Sequence, residues 1–189
     1  LLQDGDLVLI DAGCELDHYA SDITRTFPVN GCFSEAQKII YEIVLAAHEA
    51  ALDCIKPGAV FTDMQDAAAK AITQGLINVG LLTGTLEDNI KDQSYRKFYM
   101  HNIGHWLGMD VHDVGAYKLD GASRPLIAGM VTTVEPGIYI DPDDMSIAPQ
   151  WRGIGVRIED NILVTTQGYR NLTSHLPVSV TDIEMLMAS

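Results

Sequence analysis

The 189-residue chain is 47% apolar, enough to bury a core and most simply a single domain. Its 26 acidic residues against 12 basic ones give a net charge of -14. That balance argues against nucleic acid, which needs a basic footprint, and suits a cationic ligand such as a metal or a peptide's free amino terminus.

No apolar run approaches the roughly 18 residues needed to cross a membrane. Cys14, Cys32 and Cys54 are odd in number and lack C-x-x-C spacing, so they read as reduced packing residues in a cytoplasmic protein. The chain opens on Leu1-Leu2 and runs directly into a strand, without Met, cap or leader. It therefore reads as a piece of a longer protein.

Leu7 to Ile10 is a continuous apolar run, the pattern of a strand buried on both faces, and it ends in Asp11. A carboxylate at the end of a buried strand is costly unless it is paired, hydrogen-bonded or on a metal. A second extended run, Tyr19 to Val29, carries Asp22, and the two make a hairpin with both acids facing one region. Taken alone, Asp22 reads as an ion-pair partner of Arg25.

Ser34 with Gln37 predicts a capping box and a helix whose apolar stripe includes Ile40, Val44, Ala47 and Ala51, stopped by Pro57-Gly58. Thr62 with Gln65 predicts the cap of a second helix ending at Gly80. His48 reads as a satisfied or solvated histidine away from the acidic strands. A polar loop or short helix spans Thr85 to Arg96.

The stretch from Met100 to Gly115 holds His101, His105 and His112, half of the chain's six histidines. Such clustering points to imidazole as metal ligand or proton carrier. The spacing of His101 and His105 would suit one helix face, but Gly104 and Gly108 each cost roughly 1 kcal/mol in a helix relative to Ala. A looped or extended segment that aims each histidine separately is expected.

Further on, Met130 to Val134 ends in Glu135-Pro136-Gly137, the same grammar as the first hairpin. Gly155 to Val164 reads as one strand with Glu159 inside it, and Thr181 with Glu184 reads as the cap of a final helix. The chain is thus two helices flanked by strand pairs, each pair contributing two buried acids.

Four carboxylates cannot share an apolar region unaided, because like charges raise their pKa values or demand a cation. Two divalent ions would neutralise Asp11, Asp22, Glu135 and Glu159, with His105 as a nitrogen ligand. This oxygen-rich set suits Mn²⁺ over a thiolate zinc site. Two ions about 3.5–4 Å apart can share a hydroxide and polarise a carbonyl, which is hydrolytic chemistry. The bland alternative pairs each acid with Arg25, Arg157 or a backbone amide.

The motifs I-D-A-G-C-E at Ile10, S-D-I-T-R-T-F-P-V at Ser21, H-N-I-G-H-W-L-G-M-D-V-H-D-V-G-A-Y at His101, V-E-P-G-I-Y-I at Val134 and G-V-R-I-E-D-N-I-L-V-T at Gly155 cover the whole chain in order. They closely resemble the Xaa-Pro aminopeptidases (aminopeptidase P). These belong to the pita-bread metallopeptidases, with prolidase, methionine aminopeptidase and creatinase. The resemblance implies an α+β pita-bread fold, an antiparallel curved sheet with flanking helices, truncated on its amino-terminal side. It also implies a metallopeptidase catalytic domain over residues 1–189.

The implied metal ligands are Asp11, Asp22, His105, Glu135 and Glu159 around two divalent ions, usually manganese. Asp22 and Glu159 would bridge the ions. A metal-bridging hydroxide would attack the bond between a peptide's first residue and a proline in second position. Glu135 would accept the proton, His112 would stabilise the tetrahedral intermediate or pass a proton, His101 would line the proline side, and Arg157 would orient the site through acidic neighbours.

The family's catalytic domain begins upstream of Leu1 and a separate amino-terminal domain precedes it. The chain alone is therefore expected to be weakly active or inactive, and the full-length form a homo-oligomer. Prolidase, which cuts only Xaa-Pro dipeptides, shares the five ligands; the run from Arg152 to Arg157 and Trp106 favour the aminopeptidase. Methionine aminopeptidase lacks the W-L-G-M-D-V-H-D-V-G run. A catalytically inactive binding module on the same fold would have lost ligand acids, and this chain keeps them.

Overall fold

The computed structural model describes residues 1–188. The chain begins with β1 (Leu7–Ala12), which leads through two short strands, β2 (Glu15–Leu16) and β3 (Tyr19–Ala20), into β4 (Ile23–Pro28). Strands β1 and β4 pair antiparallel with Asp11 opposite Thr24. The expectation that β1 is buried on both faces fails. Leu7 to Leu9 are half-buried and Ile10 is exposed, because β1 has a ladder partner on one side only among the described residues. Cys14 and Cys32 are likewise exposed rather than packed, although all three cysteines are free.

Helix α1 (Glu35–Asp53) starts as predicted: Ser34 Oγ accepts from Gln37 N–H while the Gln37 side chain accepts from Ser34 N–H. Its apolar stripe packs against α2 (Phe61–Asn78), where Met64, Ala68, Ile72 and Leu76 are fully buried. The cap of α2 falls earlier than the Thr62–Gln65 pattern predicts. Val60 is the cap, and Asp63 Oδ2 accepts from its N–H at 2.9 Å. Gln65 serves elsewhere, as described below.

A short helix α3 (Leu86–Lys91) and a 3-10 turn, Ser94–Lys97, follow. The minor hairpin β5 (Lys118–Leu119) and β6 (Ala122–Ser123) precedes β7 (Val131–Val134) and β8 (Gly137–Tyr139). The predicted single strand over 155–164 is broken into β9 (Gly155–Arg157) and β10 (Asp160–Val164). Strand β8 pairs with β9, and β7 pairs with β10. At the join, Pro136 opposes Ile158 and has no N–H to offer. Glu159 N–H turns away and donates instead to Thr24 O of β4 at 3.1 Å. Continuing the register sets Glu135 opposite Glu159 at this break.

Strand β11 (Tyr169–Asn171) pairs with β10, and α4 (Val180–Met187) ends the described chain. The cap of α4 is Ser179, not Thr181, and Glu184 instead accepts from Phe33 N–H at 3.0 Å. All the ladders are antiparallel, and one core joins both helices to the strands through residues such as Tyr41, Ile72, Val134, Ile138, Ile158 and Ile162. No helix among the described residues is long and apolar enough to cross a membrane.

Candidate metal centre

The histidine stretch is irregular, as its glycines predict, but its first part lies along β7. Ile103 O accepts from Glu135 N–H (2.8 Å), His105 O from Thr133 N–H (3.0 Å), and Leu107 N–H donates to Val131 O (3.2 Å). This strand-like contact carries His105 to the β7–β8 junction where Glu135 sits. The approach is close enough that a Cβ on Gly104 would run into the Thr133 carbonyl, so glycine is required there. Gln65 of α2 fixes the other side of the segment, accepting from Ile103 N–H at 2.7 Å. On the opposite wall, a Cβ on Gly13 would collide with the Ser21 carbonyl, which allows the chain after Asp11 to lie against the chain before Asp22.

Donor atoms converge in three overlapping groups, each with its atoms within 4.8 Å of one another: Asp11, Asp22 and Glu159; His105, Glu135 and Glu159; Asp22, His105 and His112. The five residues expected to hold metal thus meet in one place. His112 stands beside them, its ring centroid 4.2 Å from that of His105. His101 lies outside these groups.

The orientation of His105 follows from its partners. Its Nδ1 lies 3.0 Å from Trp106 O, a carbonyl that can only accept, so Nδ1 carries a proton. Its Nε2 faces Asp22 Oδ2 at 3.3 Å and Glu135 Oε1 at 3.4 Å. A neutral ring would point a lone pair at two carboxylates, so Nε2 needs either a second proton or a cation between them. Burial opposes charge on His105, but the Asp22 bond, the Trp106 carbonyl and the Glu135 and Glu159 charges outweigh it and raise its pKa.

The acids divide. Asp22 is held below the usual carboxylate range by the bond to His105. Burial pushes Glu135 up, and burial together with Asp22 pushes Asp11 up. Glu159 is 1% exposed, and burial with the charges of Glu135, Asp22 and Asp11 pushes its pKa up to about 8. Its Oε2 accepts from Thr24 Oγ1 at 2.6 Å, whereas its Oε1 is buried without a partner. A buried, unpartnered carboxylate oxygen among three further acids and an imidazole nitrogen fits a pair of hard or borderline divalent ions.

Arg157 binds Asp11, its Nη2 donating to Oδ2 at 2.5 Å, and also gives Nε to Thr24 Oγ1 (3.1 Å) and Nη1 to the Tyr139 hydroxyl (3.0 Å). A guanidinium can only donate, so Tyr139 directs its own proton to His101 Nε2, 2.8 Å away. The His101 ring then carries its proton on Nδ1, against Asn102 O at 2.9 Å. A single relay therefore runs from His101 to Asp11.

The bland pairing of Asp22 with Arg25 is absent among the described residues. Arg25 Nη2 bonds Asp160 Oδ1 at 2.7 Å instead. His48 also departs from expectation: it is buried and its Nε2 lies 3.3 Å from Asp160 Oδ2, next in the chain to the ligand acid Glu159. Asp160 lies far from His48 along the chain, and a local pattern cannot announce such a contact.

Sequence reasoning missed Thr24, Thr133, Tyr139, Gln65 and Asn161. Thr133 anchors two site residues, accepting from His105 N–H at 3.1 Å and donating to Glu135 Oε1 at 3.1 Å. The available signal was position, since Thr24 and Tyr139 sit inside the same motifs as Asp22 and Glu135.

The profile of metallopeptidase family M24 matches residues 1–166. The chain is 54% identical to Xaa-Pro aminopeptidase of Haemophilus influenzae, over 98% of this chain and 43% of that protein. It is 49% identical to Xaa-Pro aminopeptidase of Escherichia coli, over 100% of this chain and 42% of that one. Among solved structures, Pseudomonas aeruginosa aminopeptidase PepP matches with a TM-score of 0.98 at 57% identity, over 99% of this chain and 42% of that chain. Zinc-substituted Escherichia coli aminopeptidase P in complex with product matches at 0.95 and 49% identity, with coverages of 99% and 42%. The chain spans about two fifths of the length of the relatives it matches.

Proposed function

The chain belongs to metallopeptidase family M24 and shares the fold of aminopeptidase P, and from that premise we propose that it forms the metal-binding part of an Xaa-Pro aminopeptidase. The reaction is removal of the first residue from peptides with proline second. One observation carries the reading: five donor residues converge around a Glu159 oxygen that has no protein partner.

Asp11, Asp22, His105, Glu135 and Glu159 would hold two divalent ions, manganese in the cell. When bound, such ions supply Lewis acidity toward a peptide carbonyl and toward water. The chain's residues supply the remaining chemistry. Glu135, its pKa raised by burial, accepts a proton from the attacking water and returns it to the departing amine. His112, exposed beside His105, donates to the oxygen on which negative charge develops. His101, oriented through Tyr139, lines the proline side. Arg157 keeps Asp11 ionised and aimed despite the burial and neighbouring acid that raise its pKa. The full-length protein is cytoplasmic and homo-oligomeric in this reading.

Prolidase is not favoured by the relatives, which carry the aminopeptidase name at 49% and 54% identity. Manganese-supplemented hydrolysis of an Xaa-Pro-Yaa tripeptide and an Xaa-Pro dipeptide tests the point, using this chain and a form extended upstream. Cleavage of the tripeptide by the extended form is expected. Cleavage of the dipeptide alone would make the protein a prolidase. Absence of both, with two ions bound, would overturn the peptidase reading.

A further inference from the structure

We propose that Asn161 is a positioning residue for the metal centre, its side-chain amide standing in for a missing strand partner of Asp22 and so setting where Asp22 faces Glu159. This rests on the metal-site reading above and adds a residue to it.

Asp22 falls in the gap between β3 and β4, outside both ladders: the β1–β4 register ends at the pair Ala12 and Ile23. Its peptide groups are buried, so they need partners, and no neighbouring strand supplies them. Asn161 supplies both. Its Oδ1 accepts from Asp22 N–H at 3.2 Å, and its Nδ2 donates to the Asp22 carbonyl. A side-chain amide carries one acceptor and a donor side by side, so it can close a ladder as a peptide would. No aliphatic or carboxylate side chain of that size can make both bonds.

Asn161 is itself held on every side. It is 3% exposed, and its N–H donates to Thr173 Oγ1 (3.2 Å) while its carbonyl accepts from Leu172 N–H (2.8 Å). It lies two residues beyond Glu159 and opposite Thr133, the threonine that bonds His105 and Glu135. One residue thus ties Asp22, which comes from the first hairpin, to the strand pair at whose end Glu135 and Glu159 sit. Freed from Asn161, Asp22 would swing on a short unpaired segment, and the donor pairing with Glu159 would lose its fixed spacing.

The test is metal binding to the metal-depleted chain, read by calorimetric titration with Mn²⁺ and by the electron paramagnetic resonance spectrum of the loaded protein. Wild type is expected to take two ions whose spins couple. Asn161→Ala is expected to bind the pair at least tenfold more weakly and to lose the coupled signal. Asn161→Asp keeps the acceptor and loses the donor, so it should fall between the two, and it decides the matter if Asn161→Ala does not fold. As a comparison, Asn89→Ala removes two 2.8 Å bonds of a buried side chain, to Thr83 O and Thr85 O, without touching Asp22, Glu159 or the partners of Asn161. It should lower the melting temperature and leave the coupled signal in place. Wild-type affinity and coupling in both Asn161 variants would overturn the inference while leaving the metal centre standing. A wild-type chain that takes no pair of ions would overturn both.

Discussion

Glu159 and Asp160 are consecutive acids, each 1% exposed, yet they occupy opposite surroundings. Asp160 Oδ1 receives Arg25 Nη2 at 2.7 Å and Thr173 Oγ1 at 2.6 Å, and its Oδ2 receives Asn171 Nδ2 at 2.9 Å with His48 Nε2 at 3.3 Å. Burial alone would raise its pKa, but His48 and Arg25 hold it well below the usual carboxylate range. Glu159 faces three other acids, has one hydroxyl donor, and is pushed up to about 8. Burial by itself therefore does not mark a functional acid. What marks Glu159 is burial with donors withheld. An unpaired buried polar atom costs about 1–3 kcal/mol, so the shortfall at Glu159 reads as a place for a cation from outside. At Asp160 the protein has already filled that place with its own cation.

The largest effect that could break this contrast is on stability. Asp160→Ala leaves the largely buried Arg25 guanidinium bonded to three carbonyls without its counter-charge, and breaking such a pair costs about 3–5 kcal/mol. For a chain of this size that is a fall in melting temperature on the order of 10 °C. Glu159→Gln, one residue earlier, should cost nothing in the metal-free protein at pH 8 and should abolish stabilisation by Mn²⁺. Thermal unfolding of both variants with and without Mn²⁺ measures this. Equal losses in the metal-free proteins would erase the distinction.

A smaller effect sharpens the contrast through pH. In the folded, metal-free chain Glu159 keeps its proton up to about 8, whereas its ordinary value is 4.5. The stability this contributes is fully present below about pH 4.5 and is lost as pH rises through about 8. Glu135, Asp11 and His105 are also raised and act in the same direction. Asp22 and Asp160 are lowered, so their contribution is lost only in acid. The metal-free melting temperature should fall between pH 5 and pH 8, by an amount equivalent to a few kcal/mol at most. Mn²⁺ should recover most of that loss at pH 8, and Glu159→Gln should flatten the slope. A wild-type curve with no slope over this range would remove Glu159 as the strained acid.

Much of this was legible in the chain, and the failures have a common cause. An acid ending an apolar run signals a carboxylate delivered to an interior; Asp11, Glu135 and Glu159 do meet with Asp22 and His105, but Asp11 stands exposed at the rim and is not a buried acid as expected. The capping box at Ser34 was legible because both of its bonds are made within four residues. Local pattern fails where the deciding partner is distant. Asp22 with Arg25 three residues on looks like a pair, but Arg25 is taken by Asp160, and the contact spans 135 positions. Glu159 and Asp160 look interchangeable in sequence; Arg25 from β4, His48 from α1, Asn171 from β11 and Thr173 beyond it separate them. Gln65 and Glu184 imitate caps and instead hold remote backbone amides.

The smallest expected effect lies at His48. Its Nε2 stands within ion-pair distance of Asp160 Oδ2, yet no hydrogen bond of good geometry joins them. Arg25, Thr173 and Asn171 already satisfy Asp160, so His48 adds packing and a nearby polar ring rather than a needed donor. Replacing it by Gln keeps an amide near Asp160 and some of the volume in the helix interface. The loss should be about 1 kcal/mol, the scale of one net hydrogen bond, and a fall of about 2–4 °C in melting temperature. Uptake of Mn²⁺ should be unchanged, because Asp160 belongs to none of the donor groups and its three stronger partners remain. If His48→Gln instead weakened metal binding as strongly as it weakened the fold, the two acids would be one coupled system. The closed charge cluster would then have to be counted as part of the centre it backs.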